Sequence, residues 1–289
     1  MEFLRPTSWA DALAAKAAQP DAVPIAGGTD IMVELNFDKR RPPALLDLNR
    51  VTELTDWSID DGRVRLGAGV SYTRVIDELG TELPGLAMAS RTIGSPQIRN
   101  RGTVGGNLGA ASPAGDSHPP LLALDAEVEV ASVRGSRRLP ALDFYTGVKR
   151  NALAADELIA AILLPRARGP QQFCKIGTRN AMVIAVATFA LVLHPERARV
   201  GTGIGSAAPT PIRAHDAEAF LADALTADNL WESRRDLPSA LVREFGARVS
   251  AATAPIDDVR GAAAYRRHAM TVMAKRALGW AWDDYRKVA

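Results

Sequence analysis

The sequence predicts an α+β fold, with an amino-terminal part in two lobes and a smaller α+β module after it. Three observations predict it. A βxβ unit with a glycine turn opens the chain, short strands alternate with helices and a glycine-rich passage in the middle, and after Gln171 two strands give way to helices. With 289 residues, 47% of them hydrophobic, the length points to two domains.

In chain order, Ser8 ahead of Trp9 to Lys16 has the pattern of an N-capped helix. Val23 to Ala26 reads as a short buried strand stopped by Gly27-Gly28, and Ala44 to Leu48 as the next strand, so residues 1–55 make a first lobe. Strands at Val64 to Val70, Glu127 to Val133 and Leu158 to Leu164 belong to a second lobe, residues 56–175. Between them, residues 94–117 lack a sustained apolar period and also lack the charge density of a disordered segment, so they read as a long loop lying against something. Residues 176–289 form the carboxyl-terminal module: strands at Val183 to His194 and Arg199 to Ile204, a Pro-rich turn at Ala208 to Pro211, then helices. The last helix is expected to start near Ile256 and to bury Tyr265, Ala269, Val272, Met273 and Trp280 on one face.

Composition narrows the function classes. Lys and Arg number 35 against 33 Asp and Glu, so there is no broad positive field and nucleic acid is not an expected partner. A single cysteine, Cys174, excludes an internal disulfide and any cysteine-built zinc or iron–sulfur site in this chain. The expected state of Cys174 is a buried, inert thiol. The amino terminus has no basic region followed by an apolar stretch, and the longest apolar run, Ala181 to Leu193, is too short for a membrane span, so a cytoplasmic protein is expected.

Two glycine pairs suit a pyrophosphate: Ala26-Gly27-Gly28-Thr29-Asp30 and Thr103-Val104-Gly105-Gly106-Asn107, with Ser112 and Asp116 after the second. Glycine lets N–H groups turn toward an anion with no Cβ in the way. Neither loop is a nicotinamide or ATP motif, and Gly201-Thr202-Gly203-Ile204-Gly205 reads as strand and turn because Pro209 and Pro211 forbid a following helix. Asp116-Ser117-His118 is no catalytic triad, since adjacent side chains rarely face one another. The four histidines lack metal spacing, so no metal site is expected.

These loops, the intervening Ser95 to Gly102, Ala111 to Asp116, and Phe173-Cys174-Lys175-Ile176-Gly177-Thr178-Arg179 together resemble the FAD-binding medium subunit of the xanthine dehydrogenase and carbon monoxide dehydrogenase family. The likeness runs the length of the chain to Tyr265-Arg266-Arg267-His268. It implies a two-lobed FAD domain of the vanillyl-alcohol-oxidase (PCMH) type and a flavoprotein carboxyl-terminal domain. By the same resemblance Pro24, Ile25, Ala26, Gly27, Gly28, Thr29, Asp30 and Ile31 form the first pyrophosphate loop and Thr103, Val104, Gly105, Gly106 and Asn107 the second. Ile93, Asp116, Leu158, Ile159 and Lys175 match further FAD-contacting positions, and Gly115 stands where relatives often have a larger residue.

The resemblance also implies partners: a small subunit with two 2Fe–2S clusters and a large subunit with a molybdenum pterin, in a dimer of heterotrimers. Electrons would arrive on FAD and leave to an acceptor such as NAD or a quinone. The substrate would be chosen on the large subunit, a purine such as xanthine being the first expectation. Two other readings stay open: a stand-alone flavin oxidoreductase of the same fold type, akin to UDP-N-acetylmuramate reductase, and a cofactor-free interaction subunit.

Overall fold

The computed structural model describes residues 1–287. Its first lobe is a three-stranded parallel sheet in which Ala44–Asp47 lies between Glu2–Leu4 and Val23–Ile25. The helix Trp9–Ala18 connects the two outer strands, and the crossover that the parallel neighbours Val23–Ile25 and Ala44–Asp47 need runs through the helix Ile31–Asn36. Ser8 caps the helix Trp9–Ala18, its hydroxyl accepting from the Asp11 N–H at 3.1 Å.

The second lobe is a five-stranded antiparallel sheet in the order Trp57–Asp60, Arg63–Gly67, Leu158–Pro165, Glu127–Ser132, Gly135–Pro140. Its central strand, Leu158–Pro165, is buried along nearly its whole length, which explains an uninterrupted apolar run rather than alternation. The register shifts between Ile159 and Ala161, a bulge that falls at the cavity edge.

The passage expected as a loop is largely helical. Ser95 caps Pro96–Arg101 and Thr103 caps Val104–Ala110, and His118–Ala123 follows after a short turn. These helices are six or seven residues long, too short to show an amphipathic period, and the second carries three glycines against its own propensity. Packing decides here: a Cβ on Gly105 would lie 2.6 Å from the Ala68 carbonyl oxygen, so this helix can seat only without one.

In the carboxyl-terminal module Gln171–Ile176, Ala187–His194 and Arg199–Gly205 form an antiparallel sheet, its first strand straddling residue 175. Helices His215–Ala227, Ser239–Ala251 and Ala263–Lys287 cover one face. The middle strand explains the long apolar run, because Ala190 and Val192 enter the core shared with the amino-terminal part while Phe189, Leu191 and Leu193 enter the core beneath the helices. The strand begins at Ala187; residues 183–186 approach it as irregular chain.

The glycines of Arg199–Gly205 have a packing cause. A Cβ on Gly201 would sit 2.1 Å from the Ala123 carbonyl oxygen, and one on Gly203 1.9 Å from that of Pro119, so His118–Ala123 rests directly on bare backbone. The last helix starts at Ala263, later than the sequence suggests, and its buried face overlaps the expected one only in part. Ala269 and Met273 are buried as expected, but Tyr265 and Trp280 are 49% and 48% exposed, while Arg266, Met270, Ala274, Ala277 and Ala281 also face inward. The small alanines on that face let the helix approach the sheet, and Trp282 and Tyr285 supply the buried aromatic side chains.

Candidate functional site

A cleft of about 580 Å³ lies between the two lobes. Its walls include Pro24 to Ile31 from the first glycine loop and Thr103, Gly105, Gly106 and Asn107 from the second. The two loops are in contact. A Cβ on Gly27 would lie 1.9 Å from the carbonyl oxygen of Arg101, and Asn49 bridges the same seam, its Nδ2 donating to the Ala26 carbonyl at 2.9 Å while its Oδ1 accepts from Arg101 at 3.2 Å.

The loops are used differently. Among the described residues, the backbone N–H groups of Gly27, Gly28, Thr29, Asp30 and Ile31 donate to no protein acceptor, and Gly28 adopts φ +75°, which turns the chain back on itself. Five consecutive free donors at the wall of a cleft form an anion cradle. In the second loop most amides are spent: Val104 donates to Val70, Gly105 to Ala68, and Gly106 to the Thr103 hydroxyl at 2.9 Å. Here the glycines permit close packing, which keeps the Thr103 and Asn107 side chains at the cleft.

Leu158, Ile159 and Ile93 also line the cleft, apolar surface suited to a planar ring. A second cavity of about 370 Å³ shares Ile93, Ile98 and Asn107 with the first and adds Asp116, Gly115 and Met182 to Ile184. Asp116 and Lys175 meet at its edge as a buried ion pair, Nζ to Oδ2 2.5 Å, Asp116 7% and Lys175 9% exposed. Burial pushes the Asp116 carboxyl up to about 6, against the pull of Lys175 and Thr92. Three expected residues line neither cavity: Lys175, which reaches the site only through Asp116, and two more. Val104 is fully buried in the core, and the Ser112 hydroxyl accepts from the Ala114 N–H at 3.4 Å.

Asp116, Ser117 and His118 diverge. Asp116 turns to Lys175, Ser117 donates to Asn107 Oδ1 at 2.8 Å, and His118 Nδ1 bonds the Tyr145 hydroxyl at 2.8 Å. His118 is fully buried and burial pushes its pKa down to about 3. It also accounts for Gly115: a Cβ there would lie 2.3 Å from His118 Nε2, so a larger residue has no room here. Cys174 points the other way from Lys175 on the same strand, its thiol raised to about 11 by burial.

The hairpin of Tyr145–Gly147 and Arg150–Asn151 contributes residues that sequence reasoning missed. Asn151 donates to the Gly109 carbonyl at 2.8 Å and the Lys149 N–H to that of Ala111 at 3.1 Å, which anchors the hairpin on the Val104–Ala110 helix. From its tip Lys149 reaches Glu34 of the first lobe at 2.6 Å, across the cleft mouth, with Arg40 3.9 Å from the same carboxylate. The polar turn Lys149-Arg150-Asn151 was a visible signal, but nothing in it named Glu34, 115 residues away.

Fold and cleft define a two-lobed dinucleotide-binding domain joined to an α+β module. Comparison with known proteins agrees: residues 1–167 match the family described as "FAD binding domain in molybdopterin dehydrogenase", and residues 172–281 the "CO dehydrogenase flavoprotein C-terminal domain". The chain is 30% identical to a putative xanthine dehydrogenase FAD-binding subunit of Escherichia coli, over 96% of this chain and 94% of that one. It is also 30% identical to the nicotinate dehydrogenase FAD-subunit of Eubacterium barkeri, over 84% and 90% respectively. Among solved structures, carbon monoxide dehydrogenase from Hydrogenophaga pseudoflava superposes with a TM-score of 0.88 at 28% identity, covering 98% of both chains. The chain therefore belongs to the FAD-binding medium-subunit family of molybdenum hydroxylases, as an oxidoreductase component with an FAD-binding domain. Among the described residues, no helix is long and apolar enough to cross a membrane.

Proposed function

We propose that this chain holds one FAD in the inter-lobe cleft and serves as the electron-transfer flavoprotein of a molybdenum hydroxylase. The carrying observation is the run of five unpartnered amides from Gly27 to Ile31, a cradle matched to a diphosphate. On this reading Pro24 to Ile31 and Thr103 to Asn107 flank the diphosphate, and Ile93, Leu158 and Ile159 flank a ring. Lys175 and Asp116 offer a hydrogen-bonding pair beside it. FAD, when bound, supplies the redox chemistry; the protein binds it, orients it and limits water around it.

The same reading gives the chain its partners. A small subunit with 2Fe–2S clusters would deliver electrons and a large subunit with molybdenum pterin would oxidise the substrate, in a cytoplasmic dimer of heterotrimers. The acceptor is NAD or a quinone, and the substrate a purine such as xanthine. Residues 1–175 would be the FAD-binding PCMH-type domain and 176–289 its carboxyl-terminal companion. The test is purification of the full chain with and without its co-expressed partners, followed by flavin and metal analysis and assay on a panel of purines, aldehydes and heterocycles. One FAD per chain and a complex containing iron and molybdenum is the expected result. Protein that binds neither FAD nor a partner would overturn the proposal.

A further inference from the structure

Beside the cleft stands one buried cation facing one half-used buried carboxylate. Asp116 comes from the turn ahead of His118–Ala123, and Lys175 from the carboxyl-terminal sheet. Oδ2 of Asp116 accepts from Lys175 at 2.5 Å and from the Thr92 hydroxyl at 3.4 Å, and Lys175 also donates to the Thr92 carbonyl at 3.1 Å. Oδ1 of Asp116 is buried and has no partner among the described residues, although the residue lines the smaller cavity. From the helix Tyr72–Glu78, the Tyr72 hydroxyl lies within the field of Asp116 and is held neutral by its own burial. His118, two residues on, is buried and held neutral as well. Among the described residues, Lys175 is thus the one cation facing this carboxylate.

One cation can neutralise one anion in so dry a wall. With an oxidised, uncharged flavin ring in the adjoining cleft, Lys175 serves Asp116 alone. Electrons on a flavin held in that cleft would add negative charge across Ile93 and Asn107, which both cavities share. Two anions then compete for one ammonium group, and the cheapest relief is protonation of the carboxylate at its free oxygen.

We infer that Asp116 is a redox-linked proton site: reduction of the flavin draws one proton from solvent onto Oδ1, and reoxidation releases it. This rests on the reading of the cleft as the FAD site. The balance is simple, since an external electron donor supplies two electrons to the flavin while one O–H bond forms on Asp116 and none breaks in the protein. Because burial already raises this carboxyl to about 6, the extra proton is taken up in the window just above that pH. Below it Asp116 is protonated in both redox states, and well above it in neither.

The experiment measures the flavin midpoint potential of the FAD-loaded full chain against pH, for wild type and Asp116→Asn. The wild type should show a slope steeper by one proton per electron pair just above pH ~6, merging with the variant at higher pH. Redox-difference infrared spectra of the wild type should carry a carboxylic-acid C=O band that appears on reduction, a readout that stands even where the variant loses flavin. Equal slopes with FAD bound in both proteins, or a wild-type difference spectrum without that band, overturns the proton site alone. A full chain that takes up no FAD overturns the cleft reading, and this inference with it.

Discussion

Gly27 rests against the main-chain carbonyl of Arg101 so closely that a methyl group there would lie 1.9 Å from that oxygen. The obstacle is backbone, which cannot swing aside as a side chain could. The first glycine loop is therefore positioned by contact with the segment that leads into the second. Gly27→Ala should force the two apart, lowering both stability, by about 1–3 kcal/mol, and flavin content. Melting temperature and the ratio of flavin to protein absorbance report the two effects. Full flavin occupancy in that variant would show that the contact does not set the site.

Gly106 is different, since a Cβ there meets only the Thr103 hydroxyl, at 2.9 Å, and otherwise faces the cleft. Gly106→Val should give soluble, folded protein depleted in FAD. Isolation of the variant with a full complement of FAD would refute the assignment of the second loop.

Lys149 and Glu34 tie the lobes across the cleft mouth at 2.6 Å. Both are partly exposed, so the pair is worth about 0–1 kcal/mol, enough to change flavin dissociation several-fold but not to unfold the protein. Lys149→Glu should speed the loss of flavin, and the swap Glu34→Lys with Lys149→Glu should slow it again. Flavin fluorescence recovery after dilution measures both rates, and added salt should narrow the difference between the single variant and wild type.

Gly115 and His118 fill one space between them, with 2.3 Å from a built Cβ to His118 Nε2. Gly115→Ala should destabilise the protein by about 1–3 kcal/mol, and His118→Ala in the same chain should recover part of the loss, a coupling that denaturant melts of the double-mutant cycle can resolve. Strict additivity would mean that the two residues do not share the space.

His118 also sets an acid limit. Its pKa is pushed down to about 3 by burial, so between the unfolded value near ~6.5 and that figure the unfolded chain binds the proton that the folded one refuses. Stability from this residue is whole above pH ~6.5 and drains away as the pH falls toward 3. Asp116, raised to about 6, acts in the opposite sense: its contribution is present below the ordinary carboxylate pKa and is lost as pH rises through 6. The comparison of wild type with His118→Gln isolates the first effect, and the variant should show the shallower acid limb in pH-dependent melts.

Much of this was readable in the chain. Ser8 announced the first helix, Gly27-Gly28 the turn after the second strand, and the apolar run from Ala181 to Leu193 a buried strand. The helices at Pro96–Arg101 and Val104–Ala110 were hidden because tertiary packing, not propensity, stabilises such short segments; their caps, Ser95 and Thr103, were the only local trace. The face of the last helix was read only in part, Ala269 and Met273 correctly but Tyr265 and Trp280 not, because alanine carries little hydrophobic weight in a pattern yet decides how near a helix can come to a sheet. At the site, residue types and glycines were legible, whereas the Glu34–Lys149 tie and the Gly115–His118 fit depend on distances that no linear pattern encodes.

The bare strand at Gly201 and Gly203 has a consequence for how the protein can change over time. A seam made of main chain against main chain has no side chains to repack, so neither partner can compensate for a mutation in the other. A single added methyl would tilt the helix that begins two residues after Asp116, and so lever that carboxylate away from Lys175 on the adjoining sheet. Drift in the outer module is thereby transmitted to the Asp116–Lys175 pair, and the two halves of the chain must be inherited as a matched set.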